Sequence, residues 1–407
     1  MRIGLTSPGA TIQDASGMWQ EASHEVTTEG APLALLLLVA SLFGLAVGSF
    51  LNVVIYRVPR RMSIVRPRSH CPHCGAPIRW RDNVPLLSFL LLKGRCRACR
   101  QPISWLYPAV EAGTAFVFAL LAWEHGWNLA FVPDAVFVSA LIALAVIDAR
   151  HRLLPDAITY PGFVLAVGLR ALVPPEKITE AHNLIFRSEL ARFLFDHALG
   201  AGAVLILGSS LLLFLLERLD YRLLGRRLEE LEASHANGSS APSPIREERP
   251  SVESGPIPAP IADAPSGDAE HRETWSPEWA ALLLAIGLSG VFIALGREDA
   301  ALAASGARSA LGALVGALIG SGVLWLSRLG YYALRHLEGV GFGDVKMMLM
   351  VGAFLGWGGA LMTIFLASLL GSVYGVTLML LTRERNPKLP FGSFLSLAAL
   401  AVLLVLR

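Results

Sequence analysis

Six stretches of this chain run almost without a polar side chain: residues 39–55, 135–147, 201–216, 282–295, 311–326 and 361–381. The hydrocarbon core of a bilayer takes about 20 apolar residues of helix. Only helices and closed barrels satisfy every backbone N–H and C=O there. Barrel strands alternate in polarity, and these runs do not. Of 407 residues, 54% are hydrophobic and 16% charged, which is too little charge to cover a soluble protein of this size. The sequence therefore predicts an all-α polytopic membrane protein.

Hydropathy places helices at about 33–55, 106–123, 129–148, 157–174, 197–216, 279–296, 308–327, 345–358, 360–381 and 390–406, a total of about eight to ten spans. No short apolar stretch with a processing site precedes the first run, so a signal-anchor-like first span is expected. Between residues 57 and 101 stand Arg57, Arg60, Arg61, Arg66, Arg68, Arg79, Arg81, Lys93, Arg95, Arg97 and Arg100, against the single acid Asp82. Positive loops stay in the cytoplasm, so the first helix is expected to run from outside to inside. The stretch NGSSAPSPIREERPSVESGPIPAPIADAPSGDAEHRE is rich in Pro, Ser, Ala, Gly and charge. It cannot bury enough apolar surface to fold alone and reads as a disordered cytoplasmic insertion. The expected parts are a polar segment 1–32, a first helix with the basic loop and second helix (33–128), membrane helices 129–216, the insertion 217–277, and membrane helices 278–407.

All four cysteines lie in the basic loop, as Cys71, Cys74, Cys96 and Cys99. They form two C-x-x-C pairs with 21 residues between them. A C-x-x-C turn lets two thiolates reach one ion, and two such knuckles close a tetrahedron around Zn²⁺. Disulfides are the plainer alternative, which a cytoplasmic side disfavours. A closed Cys₄ site has no open position, so this metal is expected to hold the loop and not to catalyse.

Ionisable residues beside membrane spans are costly and invite a functional reading. Asp148 ends the run DAVFVSALIALAVIDARHRLLPD, and Asp344 begins the run after GVGFGD. In the expected topology both carboxylates reach the same, cytoplasmic, boundary. Two close carboxylates cannot both ionise easily, so one holds a proton. That arrangement suits acid–base hydrolysis of an amide. Gly341 and Gly343 carry no Cβ, which leaves room for an extended backbone beside Asp344. Plainer readings exist: Asp148 pairing with Arg150 or Arg152, and Asp344 and Asp156 as helix caps.

Five ordered stretches together resemble the type IV prepilin peptidases, GxGD-type intramembrane aspartic proteases. They are GSFLNVVIYRVP at 48–59, the paired C-x-x-C loop, IDARHRLLPDAITYP, EGVGFGDVKMM, and LPFGSFL at 389–395. The resemblance implies an enzyme that removes the basic leader from type IV prepilins or type II secretion pseudopilins at the cytoplasmic face of the inner membrane. It also implies N-methylation of the new N-terminus with S-adenosylmethionine, associated with residues 33–128. The catalytic pair maps onto Asp148 and Asp344, with Asp156 in reserve, and the cysteines map onto a zinc loop. Glu338 and Lys346 flank the second motif and are expected in supporting roles. Membrane lipid is the other expected partner, and nucleic acid is not. Two departures stand out. Ten spans are drawn where the family usually has about eight, and Ser393 replaces a common proline; neither is expected to touch the dyad. There is no H-E-x-x-H and no G-x-S-x-G, the signatures of zinc and serine hydrolases. The rival class is a transporter or assembly scaffold with a zinc-knuckle docking loop. A methyltransferase that retains the aspartates as caps is a third reading.

Overall fold

A computed structural model describes residues 33–174, 197–220, 277–335, 340–382 and 389–405. Segment 1–32, the insertion between 220 and 277, and Glu338 lie outside the described residues. The described residues form helices α1 (Leu33–Arg57), the short α2 (Leu87–Leu91), α3 (Leu106–His125), α4 (Phe131–His151), α5 (Asp156–Leu172), α6 (Ala198–Asp220), α7 (Pro277–Glu298), α8 (Ala300–Arg335), α9 (Phe342–Thr382) and α10 (Phe391–Val405). Six of these, α1, α3, α4, α7, α8 and α9, are long and apolar enough to cross a membrane. Shorter apolar segments lie in α6, at Gly200–Ser209, and in α10. The protein is multi-pass. Its outward leucines and phenylalanines, such as Leu42, Phe43, Phe365 and Leu380, have lipid as their natural solvent.

The spans drawn at 345–358 and 360–381 are two helices that meet at a kink, Gly356 (φ 73°, ψ 178°), within the stretch labelled α9. Apolarity is continuous across the break, so only the left-handed glycine marks it, and glycine takes that conformation without steric cost. The expected map needs one correction, at α8: the span drawn at 308–327 is the middle of this 36-residue helix.

Small residues set how the helices meet. Helix α8 buries Ala303, Gly306, Ala307, Ala310, Ala313, Gly316, Ala317 and Gly320. With nothing larger than a methyl among these residues, the backbone of α9 comes close: a Cβ on Gly316 would lie 2.8 Å from the Cα of Gly356. In lipid, apolar burial no longer drives association, and such close van der Waals packing replaces it. The same device joins α1 to α3, where a Cβ on Gly48 would lie 2.8 Å from the Cα of Glu111. Helix α4 packs against α1 and α3 on one side and α10 on the other, and α9 packs against α8, α10 and α5. These contacts carry the end of α4 and the start of α9 to one region of the bundle.

Candidate active site and metal centre

Two similar knuckles build the cysteine site. In the first, Cys71 N–H donates to Ala76 O and Gly75 N–H to Cys71 O, both at 2.9 Å. In the second, Cys96 N–H donates to Gln101 O at 2.8 Å and Arg100 N–H to Cys96 O at 3.1 Å. Each turn closes through a left-handed residue, Gly75 (φ 68°) or Arg100 (φ 62°). The four sulfurs lie within 4.8 Å of one another, and Cys71 Sγ is 3.9 Å from Cys99 Sγ. A tetrahedral Zn–S₄ centre with bonds of about 2.3 Å has edges of about 3.8 Å, so the sulfurs fit a metal ion. The N–H groups of Cys99 and Ala98 pull the Cys96 thiol down to about 6, while at Cys99 the Gln101 N–H is outweighed by burial and the other three thiols, which push it up to about 11, as crowded sulfurs compete for charge. Arg97 donates to both oxygens of Asp82, at 2.9 and 2.6 Å, and clamps the second knuckle to the turn at Trp80–Asp82.

Asp148 lies in the last turn of α4, which Arg152 closes in the left-handed region (φ 53°) with its N–H on Asp148 O at 2.8 Å. Leu153, Leu154 and Pro155 then turn the chain into α5, which begins at Asp156 with Pro155 as its cap. Asp344 is the third residue of α9 and its N–H donates to Gly341 O at 3.2 Å. It stands inside the first turn and is not the cap. Asp148, at the end of α4, and Asp344, at the start of α9, stand on the two sides of Leu154.

Leu154 fills the space between the two aspartate-bearing elements. A Cβ on Gly343 would lie 3.2 Å from Leu154 Cβ, and one on Gly392 would lie 3.0 Å from both Leu154 methyls and 3.1 Å from Asp148 Cγ. The room expected beside Gly343 is therefore occupied by Leu154. Beside Gly341, the nearest group is Oδ2 of Asp344 itself, 3.3 Å from the position a Cβ would take.

Ser393, expected to stand clear of the aspartates, binds one of them. Its N–H donates to Asp148 Oδ2 at 2.7 Å. Its hydroxyl lies 3.0 Å from the same oxygen and 2.9 Å from Ala145 O. The contact exists because α10 begins at Phe391 and presents its first turn, rich in unpaired N–H groups, to the end of α4. The sequence signal was the LPFGSFL motif. Nothing in the motif says that its serine faces a residue 245 positions earlier.

Asp156, the reserve candidate, is engaged elsewhere: Lys346 Nζ lies 3.0 Å from both its oxygens. Lys346 also stands 4.9 Å from the Tyr160 ring centroid and 4.8 Å from that of Phe342. This pair ties the start of α5 to the start of α9. The structure thus sets the end of α4 with Asp148 and the start of α9 with Gly341, Gly343 and Asp344 around Leu154, pairs Asp156 with Lys346, and gathers the four cysteines in a separate cluster.

Comparison with known proteins agrees with this layout. The bacterial peptidase A24 N-terminal domain matches residues 42–125, which contain the four cysteines. The type IV leader peptidase family matches residues 135–221 and 279–376, which contain Asp148, Asp156 and Asp344. A prepilin leader peptidase/N-methyltransferase of Myxococcus xanthus is 52% identical over 126 residues, covering 31% of this chain and 38% of the relative. One of Klebsiella pneumoniae is 47% identical, covering 30% and 55%. One of Pseudomonas aeruginosa is 37% identical, covering 34% and 55%. The matched stretches span about half or less of these curated relatives. No solved structure matches the chain.

Proposed function

This chain belongs to the type IV leader peptidase family, and we propose that it is an aspartic endopeptidase of the membrane. It cuts the basic leader from type IV prepilins or pseudopilins at the cytoplasmic face of the inner membrane, with Asp148 and Asp344 as the catalytic pair. The observation that carries this reading is that the end of α4, with Asp148, and the start of α9, with Asp344, both close on the one side chain Leu154.

The chemistry follows from their proximity. One carboxylate is ionised and takes a proton from water as its oxygen attacks the scissile carbonyl. The other is protonated, polarises that carbonyl, and gives its proton to the leaving amine as the C–N bond breaks. The pair titrates as a unit, so the roles belong to the dyad. Lys346 and Asp156 act as a brace that fixes the first turn of α9 against α5. Leu154 lies where an extended substrate would approach Gly343, so the substrate strand displaces that side chain when it binds. Glu338 is assigned a supporting role by its place in the motif alone.

The Cys₄ cluster holds a structural Zn²⁺ that folds the loop. The printed names of the relatives also describe N-methyltransferases, and we extend this activity, with S-adenosylmethionine as donor, to residues 33–128. No residue of the chain is assigned to holding that cofactor, and no step is derived through it.

The test is incubation of the purified full-length protein in detergent with an intact prepilin. The expected products are a free leader and, with S-adenosylmethionine present, a mature N-terminus heavier by one methyl group. A prepilin left intact by folded protein would move the transporter or scaffold reading ahead.

Ser393 offers a finer check. Its hydroxyl helps orient Asp148, and a hydrogen bond to a charged group is worth about 1.5–3 kcal/mol. Ser393→Ala is expected to lower kcat about tenfold with KM unchanged, and Ser393→Thr to restore most of it. Steady-state kinetics on the prepilin reads both.

A further inference from the structure

The loop between α1 and α3 folds back along the start of α3. Leu86 N–H donates to Oε2 of Glu111 at 2.8 Å, and Glu111 lies five residues into α3, about 7 Å along the helix axis. Phe89, in the middle of α2, packs on Trp105, the residue before α3, with ring centroids 4.8 Å apart. Two independent contacts thus place α2 alongside the first turns of a membrane helix. This is the level where headgroups meet acyl chains, and Trp105 is the kind of residue found there.

At that level α2 turns an apolar face outward. Leu87, Leu90 and Leu91 sit one helical turn apart on one side and are 51%, 68% and 71% exposed. Trp80, in the turn just upstream, is 82% exposed. Arg79, Arg81, Lys93 and Arg95 flank these residues and are themselves exposed. The loop holds eleven Lys and Arg against one Asp between residues 57 and 101, and both oxygens of that Asp82 are taken by Arg97. Four thiolates around Zn²⁺ remove two charges from this excess and leave the loop strongly cationic. Such a surface repels a basic peptide and attracts an anionic one.

We propose that this face is an interfacial anchor for anionic phospholipid. Leu87, Leu90 and Leu91 enter the acyl boundary, Trp80 lies among the headgroups, and the flanking cations contact lipid phosphates. A helix of five residues does not hold itself together in water, so docking on lipid also orders α2. Through Glu111 and Trp105, it then sets the position of the metal-binding knuckles relative to α3. This reading needs the membrane helices and the loop geometry, and it stands whether or not the protein cleaves prepilins.

The experiment is amide hydrogen exchange on the full-length protein in nanodiscs with one protomer per disc. Discs of phosphatidylcholine alone are compared with discs that also contain phosphatidylglycerol. Exchange in residues 86–93 is expected to be roughly tenfold slower in the anionic discs, with the difference shrinking as salt rises. A variant with Leu90→Asp and Leu91→Asp should lose the protection while α3 exchanges as before. If that variant loses its metal, the combination Arg79→Gln, Arg81→Gln and Lys93→Gln decides, since it leaves the apolar face intact and should still erase the lipid dependence. Equal exchange in the two kinds of disc would overturn the proposal. Protection seen only with two protomers per disc would also overturn it and assign the face to a second copy.

Discussion

Asp148→Asn and Asp344→Asn each lower prepilin cleavage by about 10²–10⁴-fold, while both proteins keep their detergent-solubilised fold. Asparagine keeps the shape and the polar contacts of the carboxylate but cannot exchange a proton. In the Asp148 variant the Ser393 N–H still meets an oxygen, because the amide retains one acceptor. The loss would therefore report chemistry and not collapse. Either substitution alone suffices, because attack and leaving-group protonation each need one member of the dyad. Asp156→Asn behaves differently. It weakens the ion pair with Lys346 at 3.0 Å and should cost less than about tenfold, since exposed or partly exposed pairs contribute roughly 0–1 kcal/mol. The side chain of Asp156 is 39% exposed and that of Lys346 10%; Asn keeps an oxygen for the buried ammonium, which limits the loss. Near wild-type cleavage by Asp148→Asn or Asp344→Asn would remove that residue from the mechanism. Complete loss in Asp156→Asn with the other two active would move catalysis to Asp156.

Cys74→Ser removes the metal and unfolds the loop between α1 and α3. Binding of structural Zn²⁺ in small peptides is worth about 10–16 kcal/mol. Nothing else in the loop approaches that. Cys71 is its one buried hydrophobic residue, and most of the residues between 58 and 105 are exposed. Elemental analysis should find one zinc per chain in the wild type and almost none in the variant. Trypsin should cut at the arginines of residues 79–100 on the order of 10²-fold faster in the variant. A strong chelator applied to the wild type should reproduce that pattern. The helices α4 to α10 share no ligand with the cluster and should stay resistant. A wild type without zinc, or a variant that keeps it, would sink the metal assignment. Free thiols resistant to the loss of one partner would then explain the cluster instead.

Much of this protein can be read in one dimension because lipid and metal impose strict local demands. An apolar run must become a helix, because nothing in the hydrocarbon satisfies its backbone. The positions of α1, α3, α4, α6, α7 and α10 accordingly fall within a few residues of those expected. Two C-x-x-C pairs must meet to complete four ligands, and their sulfurs do lie within 4.8 Å. The acid at the end of one run and the acid at the start of another needed only correct helix alternation to reach the same end of the bundle.

Other features were invisible for equally physical reasons. Hydropathy averages over a window, so it found the two helices that meet at Gly356 but drew only the middle of the 36-residue α8. The glycines of GVGFGD were expected to leave space, and their type alone could not say that Leu154 occupies the space beside Gly343. Asp156 looked like a cap or a spare catalytic residue until Lys346, 190 positions away, was found against it. Ser393 looked like a harmless departure from a motif until it was found on Asp148. By itself the sequence determined the membrane helices, the cysteine pairs able to hold a metal and the residue types available for chemistry, since each follows from solvent or ligand demands acting within a few turns of chain. Tertiary structure alone decided which of those residues touch, because contacts such as Ser393 with Asp148 depend on small-residue faces letting distant helices close to van der Waals distance.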